Sequence, residues 1–123
     1  MNIAIIGVGS NINPEQNITE AIRILGEIIT VVKCSEMVRT APIGLIDQPD
    51  FINGAVKVCT SLEKEALLQV LKKTEDLLGR DRTGLKYGPR TIDLDLVVWN
   101  GEITDPDYYS RSFLQRSVEE LSG

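Results

Sequence analysis

Residues 91–99, Thr-Ile-Asp-Leu-Asp-Leu-Val-Val-Trp, interleave two carboxylates with aliphatic side chains. In a strand, a period of two sends Ile92, Leu94, Leu96 and Val98 to one face and Asp93 and Asp95 to the other. Such a strand needs a core on one side and surroundings that tolerate two like charges on the other. The chain must therefore contain a sheet with two unlike faces. Asp is depleted in strands and neighbouring like charges repel, so the pair asks for a reason. Its Cα atoms lie roughly 6.5 Å apart, so both carboxylates can reach one metal ion or a close pair. A solvated outer face of an antiparallel strand explains the pair equally well, and this segment alone leaves both readings open.

The remaining pattern supplies partners for that strand. Asn2–Val8 is short, apolar and β-branched, as a buried strand is. Asn13-Pro14-Glu15-Gln16 predicts a helix start with Asn13 as cap, Pro14 at the first helical position and Gln16 completing a capping box. Ile18, Ala21, Ile22, Leu25 and Ile29 continue at helical spacing to about residue 28. Residues 29–39 are rich in β-branched side chains and predict a second strand. Residues 41–50 hold two Pro and one Gly and predict a loop. Phe51–Thr60 alternates as a third strand, with Gly54 a candidate bulge. Ser61 is placed to cap a second helix whose buried stripe is Leu67, Leu71 and Leu78 and whose stop is Gly79. A polar loop over 80–89 precedes the strand at 91–99, and Phe113–Leu121 predicts a short terminal helix. The order βαββαβ points to an α+β fold, a ferredoxin-like antiparallel sheet with its helices packed on it. With 123 residues and a charged fraction of 25%, one domain over 1–123 is expected.

Composition then narrows the chemistry. The chain has no His, which removes Ser-His-Asp and Cys-His catalysis, the HExxH zinc motif and most imidazole metal sites. Any metal is expected to be a hard cation held by carboxylates. With 13 basic against 18 acidic residues and a net charge of −5, nucleic acid is not the expected partner. Two Cys cannot build a disulfide scaffold, and Cys34 and Cys59 are expected as small buried hydrophobes on strands. The first apolar run is too short for a signal peptide or a membrane span, so a cytoplasmic setting is expected.

Four of the 13 basic residues, Arg80, Arg82, Lys86 and Arg90, fall within eleven positions just ahead of the carboxylate strand. Thr83-Gly84 and Gly88-Pro89 interrupt them. A basic, Gly-containing loop leading into two carboxylates is what a Mg²⁺-polyphosphate site requires, because Mg²⁺ binds through one or two carboxylates plus substrate phosphates. The arginines then offset charge on the transferring group. Upstream, Asp47-Gln48-Pro49-Asp50-Phe51-Ile52-Asn53 sets an aromatic ring and a carboxamide on one face of a strand, which suits a flat heterocycle with mixed hydrogen-bonding edges. Core packing is the competing explanation for Phe51. Gly7-Val8-Gly9 lacks the third Gly of a dinucleotide loop, and a tight strand-to-helix turn accounts for it.

Taken together, the chain resembles the 6-hydroxymethyl-7,8-dihydropterin pyrophosphokinase family of folate biosynthesis. The segments that carry the resemblance are Gly9-Ser10-Asn11, Thr40-Ala41-Pro42-Ile43-Gly44, Asp47 through Asn53, Gly79-Arg80-Asp81-Arg82, and Tyr87-Gly88-Pro89-Arg90-Thr91-Ile92-Asp93-Leu94-Asp95. They follow the family's order over residues 1 to about 103. The resemblance implies transfer of pyrophosphate from ATP to the pterin hydroxymethyl group, with release of AMP. It implies two Mg²⁺ ions on Asp93 and Asp95, Arg80 and Arg90 on the moving group, and Arg82 and Lys86 on the phosphates. Glu75, Tyr87, Leu96 and Arg111 would contact the nucleotide. Thr40, Pro42, Ile43, Gly44 and Asn53 would line the pterin pocket, with Phe51 and Phe113 sandwiching the ring. The loops at 41–50 and 80–90 would close as lids.

The sequence also departs from that family. Tyr87 stands where Trp is frequent, Lys86 where Arg is, Ala41 where Pro is, and Lys72 where Gln can be. Lys lacks the bidentate fork of Arg. Asp105-Pro106-Asp107-Tyr108-Tyr109 is shorter than the family's Pro-His-containing segment and carries no His, which implies a compact, C-terminally short member. Two other readings stay open: a pterin- or nucleotide-binding module without turnover, and an interaction domain on the same fold. Either a monomer or a small homo-oligomer is expected, with no membrane partner.

Overall fold

The structure, a computed structural model, describes residues 1–44, 47–79 and 91–122. Six strands form one sheet among the described residues: β1 (Asn2–Ser10), β2 (Thr30–Cys34), β3 (Val38–Thr40), β4 (Phe51–Thr60), β5 (Asp93–Trp99) and β6 (Glu102–Ile103). Their order is β2-β4-β1-β5-β6, with β3 also paired to β4, and every pairing is antiparallel. Helices α1 (Pro14–Ile28), α2 (Lys64–Leu77) and α3 (Ser112–Ser122) pack on it. The α+β class expected from the sequence holds.

The two faces are covered unequally. On one, Ala4, Ile6 and Val8 of β1, Val56 and Val58 of β4, and Leu94 and Leu96 of β5 meet Ile18, Ala21 and Leu25 of α1 and Leu67 and Leu71 of α2. On the other, Ile5, Ala55, Val97 and Val98 meet Leu114, Val118 and Leu121 of α3. Val98 was expected beside Leu94 and Leu96; it lies on the opposite face. The cause is a bulge: Ile5 pairs with Val98 and Ile6 with Leu96, so Val97 is an extra residue and the phase of β5 reverses there.

Other local expectations are corrected in the same way. The chain at 29–39 forms two strands: at Ser35 the amide still donates to the Ala55 carbonyl, but the Ala55 amide is taken by the Ser35 hydroxyl, both at 2.8 Å, and the regular ladder stops there. Gly54 is no bulge in its pairing with β1; its missing Cβ makes room for Met37 and the Ser35 hydroxyl. Helix α2 begins at Lys64 behind Glu63, not behind Ser61. Leu62 is held in a turn, its amide donating to Thr60 Oγ1 and its carbonyl accepting from Asn2 Nδ2, so the helix cannot start sooner. Asn13 does precede α1, yet it sits at φ 42° and makes no side-chain cap. Gly79 ends α2 as expected, at φ 83° with its amide donating to the Asp76 carbonyl.

Strand β6 and a short 3₁₀ helix at Pro106–Tyr109 were not anticipated. Asn100-Gly101 announces the first: both residues have positive φ, 48° and 86°, as a two-residue hairpin turn between Trp99 and Glu102 requires. Asn100 Oδ1 also accepts from the Ile3 amide, and its Nδ2 donates to Asn2 Oδ1, so the hairpin is clasped to the start of β1.

Candidate active site

The central strand β1 carries glycine where its neighbours carry function. Gly7 pairs with Asp95 on one side and Ala55 on the other; Gly9 pairs with Asp93 and Asn53. Directly paired residues share a face, so both glycines, both aspartates and Asn53 lie on the α3 side. Gly7-Val8-Gly9 is thus strand and not a turn, contrary to the sequence expectation. Alternate glycines clear a strip along one face, and α3 covers only part of it. A cavity of about 350 Å³ opens in the remainder.

Thr40, Ile43, Phe51, Asn53, Asp93, Asp95, Arg111 and Phe113, all singled out in the sequence, line that cavity. Strand β4 sets Phe51 and Asn53 two residues apart at its start, and Asn53 Nδ2 donates to Thr40 Oγ1. The first turn of α3 presents Phe113. Both phenylalanines are half-buried, as rings are that pack on one side only. Asp93 is half-buried and Asp95 exposed, and both make further interactions. Arg111 forms an ion pair with Asp107 at 3.4 Å, one helical turn earlier in the chain. Asp105 accepts from the Asp107 amide at 2.9 Å and so caps the 3₁₀ helix. Asp105 and Asp107 also line the cavity, which the sequence reading did not anticipate.

A second hollow, again about 350 Å³, lies beyond Asp95 and is lined by Lys64, Leu68, Leu96, Thr104, Asp105 and Pro106. Leu96 reaches it from the α1/α2 face. Thr104 closes one side, its hydroxyl donating to the Leu96 carbonyl and its amide to that of Val97. Lys64, Leu68 and Thr104 were not foreseen; α2 brings the first two here, and only its contact with β5 reveals it. Asp95 is the residue common to the two hollows that carries a strand carboxylate.

Several expected residues lie elsewhere. Pro42 and Gly44 sit on the loop that carries Ile43 but are not part of the lining, and Gly44 has φ 86°. Glu75 is buried in α2, where its Oε2 accepts from the Leu94 amide at 2.8 Å. Arg80, Arg82, Lys86, Tyr87 and Arg90 lie outside the described residues. Asn11, quoted only as part of a motif, turns out to anchor a loop. It is buried, and its Nδ2 donates to Gln48 Oε1 and the Pro49 carbonyl.

Among the described residues no three potential ligands cluster, so Asp93 and Asp95 stand as a pair. That donor set fits Mg²⁺, which takes one or two carboxylates and fills its remaining positions with phosphate oxygens and water. It does not fit zinc, which wants four protein ligands of N or S type in a structural site. Asp93 lines the first hollow, and Asp95 and Asp105 line both, an arrangement of the kind that metal-assisted phosphoryl-transfer enzymes use.

Comparison with known proteins makes the class particular. Residues 5–123 match the family model of 7,8-dihydro-6-hydroxymethylpterin-pyrophosphokinase, and the chain belongs to that family of transferases. A Bacillus subtilis 2-amino-4-hydroxy-6-hydroxymethyldihydropteridine pyrophosphokinase is 36% identical over 98% of this chain and 78% of its own length. The Haemophilus influenzae protein of the same name is 34% identical over 99% of this chain and 82% of its own length. An Arabidopsis thaliana folate synthesis bifunctional protein is 41% identical over 77% of this chain, which spans only 20% of that longer protein. The alignment to the Bacillus protein runs over 131 positions, against 123 residues here, so at least eight of its positions have no counterpart in this chain. No described helix is long and apolar enough to cross a membrane.

Proposed function

We propose that this chain transfers the pyrophosphoryl group of ATP to the hydroxymethyl oxygen of 6-hydroxymethyl-7,8-dihydropterin, giving AMP and the pterin diphosphate. One observation carries the reading: Asp95, next to Asp93 on β5, lines both hollows, with Asp105 beside it on the rim they share. The cavity on the α3 side takes the pterin, with Phe51 and Phe113 offering ring faces and Asn53 and Thr40 offering hydrogen bonds. The hollow between α2 and β5 takes the nucleotide, with Leu68 and Leu96 against the base and Lys64 on its polar side.

In the reaction the pterin hydroxyl attacks the β-phosphorus of ATP, the new O–P bond forms in line with the breaking α,β-bridge, the hydroxyl proton is released to water, and AMP leaves. Asp93 and Asp95 would hold Mg²⁺, two ions by the expected count, which would supply charge neutralisation and alignment of the phosphates. Asp95 lies where the two substrates would meet. Arg80 and Arg90 stabilise charge on the moving group, while Arg82, Lys86 and Arg111 bind phosphate oxygens. Tyr87 packs at the nucleotide. Glu75 acts from the opposite face by holding the Leu94 amide between the two aspartates. No His is needed, because positioning and electrostatics carry most of a phosphoryl transfer.

The test is incubation with ATP, Mg²⁺ and the hydroxymethylpterin, followed by nucleotide analysis. AMP forming in step with pterin diphosphate supports the reading; ADP, or no turnover with bound substrates, sinks it. The eight or more missing alignment positions favour one second reading, a module that binds both ligands without turnover. Tight binding of pterin and ATP with no AMP would establish that instead.

A further inference from the structure

Glycine in the interior of a central strand weakens it and packs nothing, so Gly9 needs a reason. It is buried, its backbone φ is not in the left-handed region, and no turn requires it. What it does is leave space. A Cβ built on Gly9 would collide with Asn53 Oδ1, inside the distance that real Cβ atoms keep, while its next neighbours are the Asn53 Cγ at 3.5 Å and the Ile52 carbonyl at 3.8 Å. The collision is thus with one side chain alone. Asn53 is the cross-strand partner of Gly9, and its carboxamide oxygen occupies the space a Cβ on Gly9 would take while Nδ2 donates to Thr40 Oγ1. Gly7 differs: its Cβ would press on Val97 at 3.3 Å and touch Leu114 at 3.5 Å, so there the crowding is with the apolar α3 face and no polar group is displaced.

We infer that Gly9 is a positioning residue for heterocycle recognition, acting through Asn53. Its missing side chain sets the height and tilt of the Asn53 carboxamide above the cavity floor, and with it the hydrogen-bonding edge offered to the pterin. This rests on the reading above that the α3-side cavity is the pterin site.

The expected result for Gly9→Ala is a pterin Kd raised about tenfold, the weight of one hydrogen bond. The Kd for ATP and kcat at saturating pterin should stay near wild type, and Tm should shift by only a few degrees, since the displaced group is the end of a flexible side chain. Asn53→Ala should weaken pterin binding similarly. The combined Gly9→Ala/Asn53→Ala variant should be no worse than Asn53→Ala alone, because the second change removes what the first displaces. Additive losses overturn the inference, as does an unchanged pterin Kd in Gly9→Ala. Should Gly9→Ala fail to fold, the combined variant is expected to recover folding; if it does not, the collision is elsewhere and the inference is wrong. If Asn53→Ala leaves the pterin Kd untouched in an active enzyme, the pocket assignment itself has failed, and Gly9 falls with it.

Discussion

The two faces of the sheet are built from the same strands to opposite ends. On the α1/α2 face, the middle of the sheet presents an unbroken set of buried aliphatics, Ala4, Ile6 and Val8 of β1, Val56 and Val58 of β4, and Leu94 and Leu96 of β5. On the α3 face, the same strands bury Ile5, Ala55, Val97 and Val98 at one end, then change to Gly7, Gly9, Asn53, Asp93 and Asp95 at the other. The first face is given over to the core except where Leu96, with Lys64 and Leu68 of α2, borders the second hollow, while the second face gives up part of its packing to the cavity. Core positions and cavity positions are therefore separable, and substitutions should sort accordingly.

The sharpest test of that division is Asp95→Ala. It should lower AMP formation about a thousandfold or more at any Mg²⁺ concentration, the scale of losing a principal charge-organising group. Its Tm should stay close to wild type, because Asp95 is exposed and lies outside both core clusters. A large fall in Tm would mean the carboxylates hold the sheet together and would erase the distinction. Leu25→Ala is the mirror case. Leu25 is fully buried between α1 and the sheet, so truncation should cost about 2–5 kcal/mol in denaturant unfolding. Turnover per folded molecule should be unchanged below the transition. Phe113→Ala lies between the two, because Phe113 packs against the α3 cluster and also lines the cavity. Pterin affinity should fall about ten- to a hundredfold, as for the loss of a stacking ring. The accompanying loss of stability should be smaller than for Leu25→Ala.

How much of this was legible in advance follows from what each signal depends on. The carboxylate pair on one face of β5 was readable because a period of two needs no partner to be seen. The face of Val98 was not, since the bulge at Val97 exists only in pairing with β1. Gly7-Val8-Gly9 was misjudged as a turn for a related reason: glycine marks both a turn and a close approach, and only the cross-strand partners Asp93, Asp95 and Asn53 decide between them. Ser61 has the right chemistry for a cap, but Asn2, distant in sequence, fixes Leu62 and moves the helix start. The hairpin at Asn100-Gly101 is legible, since these residue types favour the positive φ that its turn needs. Of the site, the cavity residues on β3, β4, β5 and α3 were found from the sequence, whereas Lys64, Leu68 and Thr104 depend on how α2 and β6 meet β5.

The smallest expected effect concerns neither face but the sheet's edge. Cys34 and Cys59 are not the buried hydrophobes expected: Cys34 is exposed on the edge strand β2 and Cys59 half-buried on β4, because β2 has no neighbour on its outer side. Partial desolvation still pushes the Cys34 thiol above its ordinary pKa, so at neutral pH less of it is thiolate than in a free cysteine. Alkylation by iodoacetamide should be slower than for an unstructured peptide thiol and should rise at higher pH. Fast labelling at pH 7 would show that β2 does not stay paired at this edge.

The clasp of β1 between β4 and β5 has a consequence in time. Ser10 must wait for Ile52, and Ala4 for Trp99, before the sheet can close around them. At a ribosomal rate of about 5–20 residues per second, the apolar strand Ile3–Val8 spends roughly 5–20 s made but unpartnered on its second side. Contacts this distant in sequence also slow folding in free solution. The floor of the cavity is thus laid down first and becomes a floor last, so a nascent chain has no substrate-competent intermediate and its longest-lived hazard is its own central strand.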